Sequence, residues 1–182
     1  MNLRQLYENQ YPDPIIDNTN CPIDLDAFRG LNAFQEEAMA FINNNSYCTI
    51  YSGRQSGKTS LVAMMTIALI SSGRKVITIS NKTTSVNHLR ETINSMYEHI
   101  QERNVLVQPL HITQSQHLSL YGHSADVVIL DEFSFFDQRN MDDLTNRILP
   151  LMPSRIIGLS TPGGTNFITY ASSMHYNGGR NG

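Results

Sequence analysis

The chain has 182 residues, 40% of them hydrophobic and 16% charged, which fits one ordinary globular domain and excludes a disordered polymer. Its net charge of -3 excludes a chain-wide basic field, so any nucleic-acid contact has to be local or assembled from several subunits. Two cysteines, Cys21 and Cys48, make no disulfide framework, and no apolar run reaches the roughly 18 residues of a membrane span, which points to a soluble chain in a reducing cytoplasm.

Residues 1–27 carry Pro12, Pro14 and Pro22 among Asn and Asp, and predict an irregular N-terminal arm. Phe34, Ala38, Phe41 and Ile42 share one helical face over 33–43, which Asn43, Asn44 and Asn45 end. Tyr47 to Tyr51 predicts a short buried strand. Lys58 to Ile70 follows as a helix apolar nearly all round, with Met64 and Met65 in the core, and Ser71, Ser72 and Gly73 close it. Lys75 to Ser80 reads as a β-branched strand, 85–101 as a helix, and 105–107 and 118–120 as short strands. Val127 to Leu130 is a continuous aliphatic run, the pattern of a central parallel strand. A helix is expected over 140–149 and a last clear strand over Arg155 to Ser160. Strands alternating with helices imply a parallel sheet covered on both faces. Residues 171–182, ending in Gly178-Gly179-Arg180-Asn181-Gly182, are expected to be a tail or linker.

Between the first strand and the apolar helix lies Ser52-Gly53-Arg54-Gln55-Ser56-Gly57-Lys58-Thr59, followed by Ser60. This is the Walker A pattern with Ser52 where the first glycine usually stands, in the strand-before, helix-after context the motif requires. Successive backbone N–H groups in such a turn can meet phosphate oxygens, and the helix beyond points its positive end at the anion. Lys58 could then bridge the β- and γ-phosphates, and the Thr59 hydroxyl could ligate Mg²⁺. The plainer alternative is a Gly-Lys-Thr helix start with no ligand.

Val127 to Leu130 delivers Asp131 and Glu132 at its C-terminal edge, where ligands of open α/β sheets sit. This is the Walker B pattern. Asp131 would hold Mg²⁺ and Glu132 would orient the attacking water. Read alone, the pair could be a solvated turn. Together the two motifs predict an α/β, three-layer P-loop NTPase of the RecA/ASCE type, with a mostly parallel central sheet flanked by helices.

These residues resemble the ATPase domain of viral large terminases, the DNA-packaging motors of tailed phages and herpesviruses. The resemblance rests on Arg54-Gln55 before Gly57-Lys58-Thr59, on Val127 to Glu132 followed by Phe133, and on Ser160-Thr161-Pro162-Gly163-Gly164 with Asn166-Phe167. Leu31, Phe34 and Gln35 add to it ahead of the first strand. It covers about 28–170, the expected ATPase domain. It implies that Arg54 acts over the γ-phosphate alongside Lys58 and Glu132, and that Gln35 reads the adenine. It also implies that Ser160, Thr161 and Pro162 couple hydrolysis to movement. ATP and Mg²⁺ would be the cofactors. The implied partners are viral double-stranded DNA, a portal protein, a small terminase subunit and copies of the chain in a ring on the portal, in the host cytoplasm; the isolated domain would be a monomer. Each role has a competitor. Asn32 and Gln35 also fit a helix capping box, Arg54 could be a solvated loop arginine, and Ser160-Thr161 could be a strand end stopped by Pro162.

Two departures from the family stand out. Many relatives carry Arg-Gly ahead of the Walker B acids, where this chain has Tyr121-Gly122, so a trans-acting arginine would have to be another, such as Arg103, Arg139 or Arg147. Terminases also continue into a nuclease domain, which would here lie beyond the tail or on another polypeptide. His111, His117 and His123 recur every six residues but share no helix face, and read as turn or surface histidines rather than ligands. Phe133, Phe135 and Phe136 are expected to pack under the sheet edge or to meet another domain or subunit. The competing functions are a superfamily 1 or 2 helicase-like translocase and a nucleotide-dependent scaffold with poor turnover.

Overall fold

The computed structural model describes residues 23–26, 28, 30–98, 110–113, 120, 122–137, 144, 146–151, 153–164 and 171–176. Three helices and six strands are defined among them: α1 (Ala33–Asn44), β1 (Tyr47–Ser52), α2 (Lys58–Ser71), β2 (Val76–Ser80), α3 (Thr83–Glu98), β3 (Leu110–Thr113), β4 (Val127–Asp131), β5 (Arg155–Ser160) and β6 (Ser172–Tyr176). All six strands are parallel, in the order β3-β2-β4-β5-β1-β6.

Burial on both sheet faces explains the unbroken aliphatic strands. Val127 and Ile129 of β4 join the core on the helix face, with Phe34 and Ile42 of α1, Leu61 and Met65 of α2 and Leu89 of α3. Val128 and Leu130 face the other way, into a second core with Tyr51, Ile77, Phe133, Leu144 and Ile156. A sheet covered on both sides has no polar face, so period-2 alternation disappears. α2 is apolar nearly all round for the same reason: Leu61 to Ile67, Leu69 and Ile70 are all buried.

Two anchors tie the layers together. Arg155, 2% exposed at the start of β5, donates from Nη1 to the Ile42 carbonyl at 2.8 Å, placing a cation at the C-terminal end of α1. On the opposite face, Gly158 leaves room for Phe133: a Cβ there would stand 2.9 Å from the Phe133 ring and 3.2 Å from Thr49 Cγ2.

The elements carrying the two motifs form where the sequence predicts them, with ends moved by a residue or two. Two expectations are corrected and one strand is added. Ser172–Tyr176, inside the stretch expected to be a tail, is a strand paired in parallel with β1, so Arg155–Ser160 is not the last strand. β3 lies at Leu110–Thr113, which was not foreseen. Of the strand expected over 118–120, the described residue Leu120 lies in a helical turn instead. In the helix expected over 140–149, Leu144 and 146–148 are helical and Leu149–Leu151 is a 3-10 turn. The strand expected over 105–107, most of the N-terminal arm, Arg103, Tyr121, Arg139, Asn166 and Phe167 lie outside the described residues.

Candidate functional site

β1, β4 and β5 are consecutive in space, and their C-terminal ends converge on one cavity of about 760 Å³. Arg54, Gln55, Gly57, Lys58, Thr59 and Ser60 line it from the loop after β1, Glu132 from β4, and Thr161 and Pro162 from β5. The turn between β2 and α3 adds Asn81 and Lys82, and Phe135 stands at the cavity as an exposed large hydrophobic residue, 45% accessible. Sequence reasoning passed over Asn81 and Lys82. The available signal was a polar turn closing a buried strand that neighbours the acidic one.

The loop after β1 is held by its own contacts. Ser52 is fully buried and its hydroxyl lies 2.8 Å from that of Ser56. Gly53 is exposed, and a Cβ there would meet nothing. Gln55 has φ 62° and Gly57 φ 97°, and Gly57 leads into the first turn of α2. Lys58, 7% exposed, donates to the Gly53 carbonyl at 2.9 Å and the Ser52 carbonyl at 3.3 Å, and its Nζ lies 3.7 Å from Glu132. Burial pulls its ammonium below the usual lysine range, against the charges of Glu132 and Asp131. Arg54 is exposed.

Gln35 sits behind the loop and does not line the cavity. It is 6% exposed, its side-chain oxygen accepts from Asn32 N–H at 3.0 Å, and its amide donates to the Gly57 carbonyl at 3.3 Å. The reciprocal bond from Gln35 N–H to Asn32 Oδ1 completes a capping box, and Asn32 Nδ2 also reaches the Ser56 carbonyl at 3.0 Å. The helix cap and the loop are thus one hydrogen-bonded unit. Asn32's reach to the loop is a contact that the capping pattern alone did not reveal.

Asp131 is 5% exposed and accepts from Ser80 Oγ at 3.3 Å. Burial, then the neighbouring Glu132 charge, push its carboxyl up to about 6. Glu132 takes the left-handed backbone conformation, with φ 55° and ψ 39°. Among the described residues only Gln55 and Glu132 combine a side chain with positive φ, and both belong to this cavity. Such strain is sparsely populated and persists where surrounding contacts impose it. Here the contacts are visible: Thr161 donates its N–H and its hydroxyl to the two carboxylate oxygens, and Ser160 Oγ adds a bond at 3.2 Å. Ser134, just beyond Glu132, is hydrogen-bonded to Ser160, and Gly164 lies against the Ser134 backbone with no room for a side chain. The β4 and β5 loops are therefore locked to each other.

The donor set suits Mg²⁺, which takes one or two carboxylates together with phosphates and water rather than an all-protein cage. Thr59 lines the cavity together with Glu132, while Asp131 is a buried carboxyl directly before Glu132 and is not itself part of the lining. His111 is on β3, where burial and Arg90 lower it to about 4; His123 is exposed; His117 lies outside the described residues. Arg147 lines a separate cavity of about 360 Å³ with Leu120 and His123. Phe133 and Phe136 are core residues, which separates them from Phe135.

The family model described as AAA domain matches residues 30–157, a span running from just before α1 into β5. The chain belongs to the AAA domain family. No curated protein matches it. Solved structures similar to this AAA domain include an altered form of the Thermus phage P74-26 large terminase ATPase domain, 14% identical, covering 84% of this chain and 83% of that one at a TM-score of 0.58. The UvsW helicase from bacteriophage T4 is 10% identical, covering 95% of this chain and 67% of that one at 0.63. The large terminase from a thermophilic bacteriophage, solved in complex with ADP, is 9% identical, covering 81% of this chain and 45% of that one at 0.54. At such identities the likeness is one of fold, that of P-loop ATPase domains with a parallel sheet flanked by helices.

Proposed function

We propose that this AAA domain is the ATP-hydrolysing motor of a phage terminase large subunit, driving viral double-stranded DNA into a procapsid. The observation that carries the reading is the bonding of Glu132 to Ser160 and Thr161. It joins the carboxylate suited to aim water to the segment that resembles the coupling motif. Residues 28–170, extended by β6, form the motor domain in this reading.

In the proposed reaction the Gly53–Ser60 backbone and Lys58 hold the triphosphate, and Thr59 and Asp131 would hold Mg²⁺, which supplies charge neutralisation at the phosphates. Glu132 orients the attacking water and takes up its proton at a carboxylate oxygen. Arg54 closes over the γ-phosphate and stabilises its developing charge. Thr161 and Ser160 sense the change at Glu132 and pass it to the loop bearing Pro162. Portal protein, a small terminase subunit and further copies of the chain are the proposed partners, in host cytoplasm. The charge of -3 requires that DNA be met by a local patch or by several subunits together.

The likeness to the T4 helicase over 95% of this chain keeps a helicase-like translocase as the second reading. Hydrolysis assays with the purified chain separate the two. A slow basal rate raised by linear duplex DNA and abolished by Glu132→Ala, with ATP binding retained, supports the packaging motor. Stimulation by single strands together with strand separation favours the helicase. A wild-type rate no higher than that of Glu132→Ala leaves a nucleotide-dependent scaffold.

A further inference from the structure

We infer that Tyr176 forms the nucleobase subsite, offering its ring as a stacking face for the base of the bound nucleotide; the inference rests on the ATP reading above. The sheet order sets the direction of the ligand. Glu132 and Thr161, which define the hydrolysis end, directly follow β4 and β5, to one side of β1. A triphosphate with its terminal phosphate there and its chain along the loop after β1 leads its nucleoside away from β4, toward the β6 side.

Tyr176 occupies that side. It ends β6 in register with Ser52, the residue at which the phosphate loop begins, so it stands at the same C-terminal edge of the sheet. Its ring is partly exposed and turns to the helix face, meeting Phe34 edge to face at 5.2 Å and 63°. The preceding residue, His175, turns the other way and stacks on Tyr51 at 4.7 Å. Phe34 is 2% exposed, and the next residue, Gln35, bonds to the Gly57 carbonyl. A continuous path therefore runs from the Tyr176 ring through α1 to the loop. A partly exposed aromatic ring, fixed by a buried one beside a phosphate cradle, has the chemistry to stack a base. Stacking is tolerant of base identity because every base has a π-face.

The test compares ATP with inorganic tripolyphosphate, both with Mg²⁺, by calorimetry on the full chain. Tyr176→Leu keeps apolar packing against Phe34 and removes the π-face; Tyr176→Phe keeps both. The expected result is a loss of about tenfold in ATP affinity for Tyr176→Leu, the lower part of the range for a base on an aromatic ring, with tripolyphosphate unchanged and Tyr176→Phe like wild type. Unchanged ATP affinity in Tyr176→Leu overturns the inference, as does an equal loss for both ligands, which marks a structural role. Wild type binding tripolyphosphate as tightly as ATP overturns the base subsite while leaving the phosphate site standing. Wild type binding neither ligand overturns both.

Discussion

Thr161 holds both oxygens of the Glu132 carboxylate, its backbone N–H donating to Oε2 at 2.9 Å and its hydroxyl to Oε1 at 3.0 Å. One residue at the end of β5 thus fixes the aim of an acid at the end of β4. Outer groups that orient a reacting side chain affect turnover more than binding. Thr161→Val keeps the shape and the N–H bond but removes the hydroxyl, and is expected to lower kcat about tenfold with ATP affinity nearly unchanged. Glu132→Gln is expected to cost about a hundredfold or more in kcat while still binding ATP. Single-turnover hydrolysis beside equilibrium binding checks both, and a Thr161→Val variant that loses affinity at normal kcat would contradict the assignment.

Gln35 links the cap of α1 to the loop after β1 through two different atoms, which can be separated by mutation. Gln35→Ala removes the capping bond and the bond to Gly57, and is expected to cost about 1–2 kcal/mol, a fall in Tm of about 3–6 °C, together with weaker ATP binding. Gln35→Glu keeps an acceptor for Asn32 but sets a carboxylate oxygen against the Gly57 carbonyl. It should lose ATP affinity with a smaller change in Tm. Thermal melts and ATP titrations on the two variants give the comparison.

Asp131 makes stability depend on pH. Its folded value of about 6 lies above the ordinary 3.8, so between those values the folded chain binds more protons than the unfolded one and stability falls as pH rises. The stabilising contribution is complete below about pH 4 and lost above about pH 6. Asp131→Asn keeps the neutral form at every pH. In a chelator, which removes divalent cations, it is expected to be more stable than wild type at pH 8 by up to about 3 kcal/mol, with the gain vanishing near pH 4. Denaturant melts across that range check the sign, and a gain that grows toward low pH would contradict it.

Local rules reached most of the loop after β1 and the acidic strand as structural elements, because both are short-range patterns. A glycine-rich turn before an apolar helix and an aliphatic run ending in two acids each carry their own signal. The pairing of Glu132 with Thr161 spans 29 residues, and no local pattern specifies it. β6 was missed because Ser172-Ser173-Met174-His175-Tyr176 lies at a sheet edge, where only Met174 is buried. An edge strand half open to solvent has little apolar content to announce it, and β1 supplies its order through main-chain bonding. Gln35 fitted two roles in the sequence. The fold shows the capping one, adds the bond to Gly57 and sets Gln35 behind the loop rather than on the cavity.

Calorimetric titration of Mg·ATP into the folded chain, with Lys58→Ala alongside, tests the central claim most directly. Saturable binding by wild type, lost or weakened at least about a hundredfold in a Lys58→Ala variant that melts cooperatively, is the predicted result. A folded wild-type chain with no measurable affinity, or a Lys58→Ala variant that binds as tightly as wild type, would contradict the claim that the loop after β1 grips a nucleoside triphosphate.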